Sequence, residues 1–140
     1  MNVKKSLWQQ SVNPQYFNPK AVFETADGKL HLATDQKTVR AAVSKSSDSR
    51  HYVVKSGETL KFSVLISGTG RFALNLTCFD ADGKYNRRVP QKKFPAPAEE
   101  KWISWTAVIP EGTVYVLPGI SVQAGGDCRI ADCKIEIVKP

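Results

Sequence analysis

The chain has 140 residues, 41% hydrophobic and 24% charged, a size and balance that suit one folded domain and exclude disordered and fibrous classes. No apolar run approaches the ~20 residues of a membrane-spanning helix. The net charge of +7 sets up a field that attracts nucleic acid, anionic polysaccharide or a charged cell surface equally, so it selects no partner by itself.

The segment Met1 to Gln10 carries Lys4 and Lys5 but no apolar stretch behind them, so it is not a secretory signal. With Pro14 and Pro19, residues 1–20 read as an irregular segment packed on the domain, and 21–140 as a single β-sandwich domain. Patterned sequence continues to Ile135, Ile137 and Val138, just before Pro140, as expected of a domain taken from a longer chain. The missing leader is then uninformative about compartment.

The period is two almost throughout. Strands are expected at 21–25, 29–34, 38–44 and 51–54, the first two joined at Asp27-Gly28. Asp-Gly between alternating runs marks a hairpin, because glycine accepts positive φ without a steric penalty. In Thr59 to Ser67, the residues Leu60, Phe62, Val64 and Ile66 alternate with mostly polar neighbours, giving one buried face and one wetter face. After a turn at Gly68-Thr-Gly70, Phe72, Leu74, Leu76 and Cys78 repeat the pattern, leaving Arg71, Ala73, Asn75, Thr77 and Phe79 on the other side. Residues 84–97, basic and broken by proline, read as a long exposed connection. Further strands follow at 103–109, 113–117, 120–124 and 128–138, with Pro118-Gly119 as punctuation inside this stretch. Cys128 and Ile130 have one parity and Cys133, Ile135 and Ile137 the other. Burying all five requires an extra residue near Ala131-Asp132, a β-bulge that would turn Asp132 out of the ladder. Many short strands with regular turns predict an all-β, two-sheet antiparallel β-sandwich of jelly-roll type. Cys78, Cys128 and Cys133 read as small core residues, with a Cys78–Cys133 bridge left open.

Several segments together resemble galactose-binding-like carbohydrate-binding modules. Val54-Lys-Ser-Gly-Glu-Thr-Leu-Lys-Phe-Ser-Val looks like the turn entering their inner strand, and Phe72 to Lys84 like the next strand with its acidic turn. Trp102-Ile-Ser-Trp-Thr-Ala-Val-Ile-Pro-Glu-Gly resembles their tryptophan strand, and Val116 to Ile137 their last two strands. The resemblance covers 54–137 and not the first fifty residues. It implies a non-catalytic module for a polysaccharide, often with a structural calcium, tethered to the catalytic domain of a secreted glycan-active enzyme and so extracellular or cell-surface. Two positions depart from the pattern: Ala131-Asp132 stands where the family has paired acidic residues, and Ser121 where it has an outward aromatic.

Sugar binding needs flat aromatic surface for the C–H side of a pyranose and polar groups for its hydroxyls. Arg40, Asn75, Thr77, Ser121 and Gln123 fall on non-core faces and can line the concave sheet, although such residues also occupy any solvated face. Trp8 and Tyr85, in irregular segments, are stacking candidates or end plugs, whereas Trp102 and Trp105 are expected to pack in the sandwich. Lys84, Arg87, Arg88, Lys92 and Lys93 can grip carboxylate, sulfate or phosphate. Glu24 with Asp132 would supply two carboxylates to a calcium that wants ~6–8 oxygens, and Asp80-Ala-Asp-Gly83 reads as a turn. Three rivals remain. An enzyme would have to work without a metalloprotease motif, nucleophile elbow or phosphate loop, and with only His31 and His51 as histidines. A nucleic-acid binder has the charge but no recognised module. The third is a docking sandwich without ligand.

Overall fold

The computed structural model describes residues 8–10, 22–26, 29–34, 38–43 and 52–138. The described strands are β1 (Trp8–Gln10), β2 (Val22–Ala26), β3 (Lys29–Ala33), β4 (Val39–Val43), β5 (Tyr52–Val53), β6 (Thr59–Thr69), β7 (Arg71–Phe79), β8 (Tyr85–Pro95), β9 (Lys101–Val108), β10 (Tyr115–Val122) and β11 (Asp127–Val138). They form two antiparallel sheets. The front sheet runs β1-β4-β10-β7-β8, with β5 also on β10, and the back sheet runs β2-β3-β11-β6-β9. The order β4-β10-β7-β8 opposite β3-β11-β6-β9 is jelly-roll topology.

Alternation builds the core between the sheets. Leu60, Phe62, Val64 and Ile66 of β6 meet Phe72, Leu74, Leu76 and Cys78 of β7, and all are 0% exposed. Burial at this level contributes roughly 1.5–3 kcal/mol for each large apolar side chain. The Gly68-Thr-Gly70 segment carries the chain from one sheet to the other. A Cβ on Gly68 would run into the Asp127 carbonyl oxygen, so only glycine lets β6 and β11 close at this corner.

The sandwich and its jelly-roll winding match the sequence reading, with local corrections. Trp8–Gln10, inside the segment expected to be irregular, pairs with Ala41–Val43 as an edge strand. Residues expected to form an exposed connection are β8, an edge strand pinned by Phe94 stacked on Phe72 with ring centroids 5.3 Å apart. Prolines and lysines are tolerated there because one side of the strand needs no ladder. Strand β10 runs unbroken through Pro118-Gly119. On the flank shared by β5 and β4, β5 pairs as far as Val116 and β4 starts at Gly119, so Pro118 lies in the gap. The β11 bulge is present, with the register slipping between Ile130 and Asp132. The extra residue is Ala131, however. Asp132 stays in the ladder opposite Leu65, and its Oδ1 accepts the Cys133 N–H at 2.8 Å. Trp105 packs against the core, opposite Phe62. Trp102 has the other parity, pairs with Leu65 and is 39% exposed, with the Lys134 Nζ 4.7 Å from its ring centroid.

Candidate functional site

Register sorts the outward positions of the front sheet into rows. At one end Val53, Tyr115, Phe79 and Tyr85 are successive cross-strand partners. The next row is Leu117, Thr77 and Arg88. Then come Gln9, Ala42, Gly119 and Asn75, followed by Arg40, Ser121, Ala73 and Lys93. Gln123 lies beside Arg71, its N–H donating to the Arg71 carbonyl at 2.9 Å. Rows stand about 7 Å apart, two residues of strand. The face thus grades from an aromatic end, where Tyr85 and Val53 are 62% and 64% exposed, to a polar and basic end.

The polar centre is partly sunk. Asn75 is 7% exposed and Ser121 1%. The Ser121 Oγ accepts the Gln123 Nε2 at 3.4 Å. The Asn75 amide has no hydrogen-bond partner among the described residues, a state that costs roughly 1–3 kcal/mol when no water reaches the group. Its Oδ1 lies 2.8 Å from where a Gly119 Cβ would sit, so glycine there makes the floor on which the amide rests. The front-sheet strands contain no Asp or Glu.

The structure therefore brings Arg40, Asn75, Thr77, Ser121 and Gln123 onto one face, with Tyr85 at its aromatic end. Two candidates fall in other rows. Arg87 pairs with Cys78, in a core row, and Arg88 takes the outward position beside Thr77. Trp8 pairs with Val43, whose parity is that of buried Val39 and Ala41. Lys93, from the basic set, also belongs to the face, and so do Phe79, Tyr115, Gly119 and Arg71, which were missed as site residues. The parity of Phe79 and Arg71 gives both away, whereas Tyr115 emerges only once β10 is seen to be continuous.

The two carboxylates suggested for calcium, Glu24 and Asp132, stand on strands β2 and β11 of the back sheet, with β3 between them. Glu24 pairs with His31, and His31 with Arg129, so two strand spacings, about 10 Å, separate it from β11, and Asp132 lies about 7 Å further along. The His31 Nε2 meets the Asp127 Oδ1 at 2.7 Å. Among the described residues no three His, Cys, Asp or Glu gather around one point. A groove of about 520 Å³ at one end of the sandwich is lined by Val54, Lys55, Asp80, Asp82 and Thr113, among others. The Asp80 Oδ1 is used there, accepting the Asp82 and Lys84 N–H groups at 2.9 and 3.0 Å, as a turn requires. Cys78, Cys128 and Cys133 are buried thiols, not disulfide-bonded. Burial, and after it the Asp127 carboxylate, push the Cys128 thiol up to about 11, so it is not a thiolate nucleophile at neutral pH.

No family model and no curated protein matches this chain. Solved structures do. The CBM22-1–GH10 modules of Clostridium thermocellum endo-1,4-beta-D-xylanase 10B, solved with xylohexaose, match at TM-score 0.65 and 16% identity, covering 100% of this chain and 28% of that one. The CBM22-1 xylan-binding domain of Paenibacillus barcinonensis Xyn10C matches at TM-score 0.61 and 10% identity, covering 100% of this chain and 94% of that domain. The enzymatically active domain of bacteriophage CBA120 tailspike protein 4 matches at TM-score 0.62 and 9% identity, covering 95% and 20%. The chain thus spans under a third of the xylanase fragment and nearly all of the isolated xylan-binding domain. What is shared at these identities is the fold, a β-sandwich that several of these neighbours carry as carbohydrate-binding modules.

Proposed function

We propose that the chain is a non-catalytic carbohydrate-binding module that holds a polysaccharide against the outward face of its front sheet. The supporting observation is the coincidence on that face of an aromatic row and a sunken amide without a partner among the described residues. Tyr85, Phe79 and Tyr115 offer ring surface to the C–H side of a pyranose. Thr77, Gln123 and Asn75 offer donors and acceptors to its hydroxyls. No described residue pairs the Asn75 amide, so a ligand hydroxyl that pairs it would turn its desolvation penalty into binding free energy. Gly119, Ala42 and Ala73 keep the middle low enough for a chain to pass. The groups sit on paired strands, so little ordering entropy is lost on binding.

Hydrolysis by paired carboxylates needs two acids flanking the scissile bond, and the strands of this face supply none. The module would work by tethering. A modest single-site affinity raises the local concentration of an attached catalytic domain along its polymer. We place the parent protein outside the cell or on its surface, as a secreted glycan-active enzyme. The neighbour in which a CBM22-1 module is joined to GH10 and solved with xylohexaose supports that arrangement.

Titration calorimetry against soluble xylan, β-glucan, mannan and pectin is the test. A dissociation constant of about 10 µM–1 mM is expected for at least one polymer, equivalent to about −7 to −4 kcal/mol. Tyr85→Ala, at an exposed position that leaves the core intact, should weaken binding by ~10-fold through lost ring contact. Absence of binding to every polysaccharide at millimolar protein would remove the reading and leave a docking sandwich.

A further inference from the structure

Charge is segregated between the sheets. The strands of the front sheet carry Arg40, Arg71, Arg87, Arg88, Lys92 and Lys93 without a single carboxylate. The back-sheet strands carry Lys29, Lys61, Lys101, Arg129 and Lys134 interleaved with Glu24, Asp127, Asp132 and Glu136. Solubility alone asks for mixed signs, as on the back sheet, whereas a one-signed sheet is a field directed at something. Four of the front-sheet cations occupy the outward rows. Arg88 is next to Thr77, Arg40 and Lys93 bracket Ser121 and Ala73, and Arg71 lies beside Gln123. Arg71 and Lys93 are exposed.

We infer that the ligand is an anionic glycan, one whose sugars carry carboxylate or sulfate groups; this rests on the glycan-binding reading above. A chain laid across the middle rows runs over the Asn75–Gly119 floor with cations on both margins. Arg40 and Lys93 stand three strand spacings apart, about 14 Å, so acidic groups on successive sugars meet different cations. Arginine supplies the two-pronged geometry that a carboxylate or sulfate accepts. The arrangement suits a single-stranded nucleic acid less well. That ligand needs rings interleaved with cations along its path, and among the described residues the outward rings of this face lie in the end row.

Affinity electrophoresis and calorimetry with polygalacturonate, dextran sulfate, neutral xylan, unsulfated dextran and a 20-nucleotide single-stranded DNA, each at low and at 300 mM NaCl, test the inference. An acidic glycan should bind at least ten-fold more tightly than either neutral polymer at low salt and lose at least five-fold at high salt. Polygalacturonate against dextran sulfate tells carboxylate from sulfate. The double variant Arg88→Ala with Lys93→Ala should lose ten-fold or more, while Lys61→Ala with Lys101→Ala on the back sheet should lose less than two-fold, both with unchanged melting temperature. Salt-independent binding of neutral xylan at full strength would overturn the anionic ligand and keep the glycan module. Binding of DNA at least as tight as any glycan, or of no glycan at all, would overturn both. An equal loss in the two double variants would overturn the assignment to the front sheet.

Discussion

In the proposed site, Asn75 sets stability against binding. Its amide is 7% exposed beside the Gly119 floor, with no partner among the described residues. Removing a buried unpaired polar group relieves a penalty of roughly 1–3 kcal/mol, set against some lost packing. Asn75→Ala should therefore unfold at the same urea concentration as the parent, or a higher one, while its affinity for the glycan falls by ~10-fold. A variant that is less stable but binds normally would mark the amide as a structural residue. The five polar positions of the face were legible because each obeys parity within its own strand. Tyr115 was not: if Pro118-Gly119 is taken to end a strand, its phase relation to Ser121 is lost. Which of Arg87 and Arg88 stands in an outward row was not legible for a related reason, since parity cannot be counted through an edge strand with two register shifts.

At the level of elements, the β11 bulge is the feature that sequence fixed most sharply. Only an inserted residue reconciles Cys128 and Ile130 with Cys133 and Ile135, and the register slips at Ala131. Deleting Ala131 should restore a regular ladder and turn one of these groups outward. At roughly 1.5–3 kcal/mol for each buried apolar side chain, the loss approaches the whole stability of a domain this size. The deletion variant should lack the sharp urea transition of the parent, and a variant that kept it would show that the bulge is dispensable. Strands with strict alternation, such as β6 and β7, were legible almost to the residue. β8 was not, because proline and lysine mark loops as readily as they mark an edge that needs no second ladder. β1 escaped because three residues carry too little period to read.

Over the whole molecule, the partly buried Tyr52 and the buried Cys128 make stability depend on pH. Burial, and after it the charge of Cys133 on the opposite sheet, raise Tyr52 from 10.0 to about 12. Cys128 rises from 9.0 to about 11. Both hold their protons more tightly folded than unfolded, so above pH 9 the unfolded chain binds fewer protons and stability falls as pH rises. The contribution is whole below pH 9 and is lost progressively towards pH 12. Urea midpoints should be level from pH 7 to 8.5 and then decline, and Tyr52→Phe should flatten the upper part of the decline. A parent midpoint that held steady to pH 12 would contradict this account. The strand order has a further consequence for how the chain comes into being. β10 is the middle strand of one sheet and β11 of the other, yet they are the last two to be synthesised. Until they leave the ribosome, β3 and β6 have no common neighbour, nor have β4 and β7, and a nascent chain carries four ribbons waiting for their centres. Completion is thus set by long closures, 77 residues from Ala42 to Gly119 and 100 from Leu30 to Ile130, which are slow steps, and the finished front face exists only once the final strands have threaded both gaps.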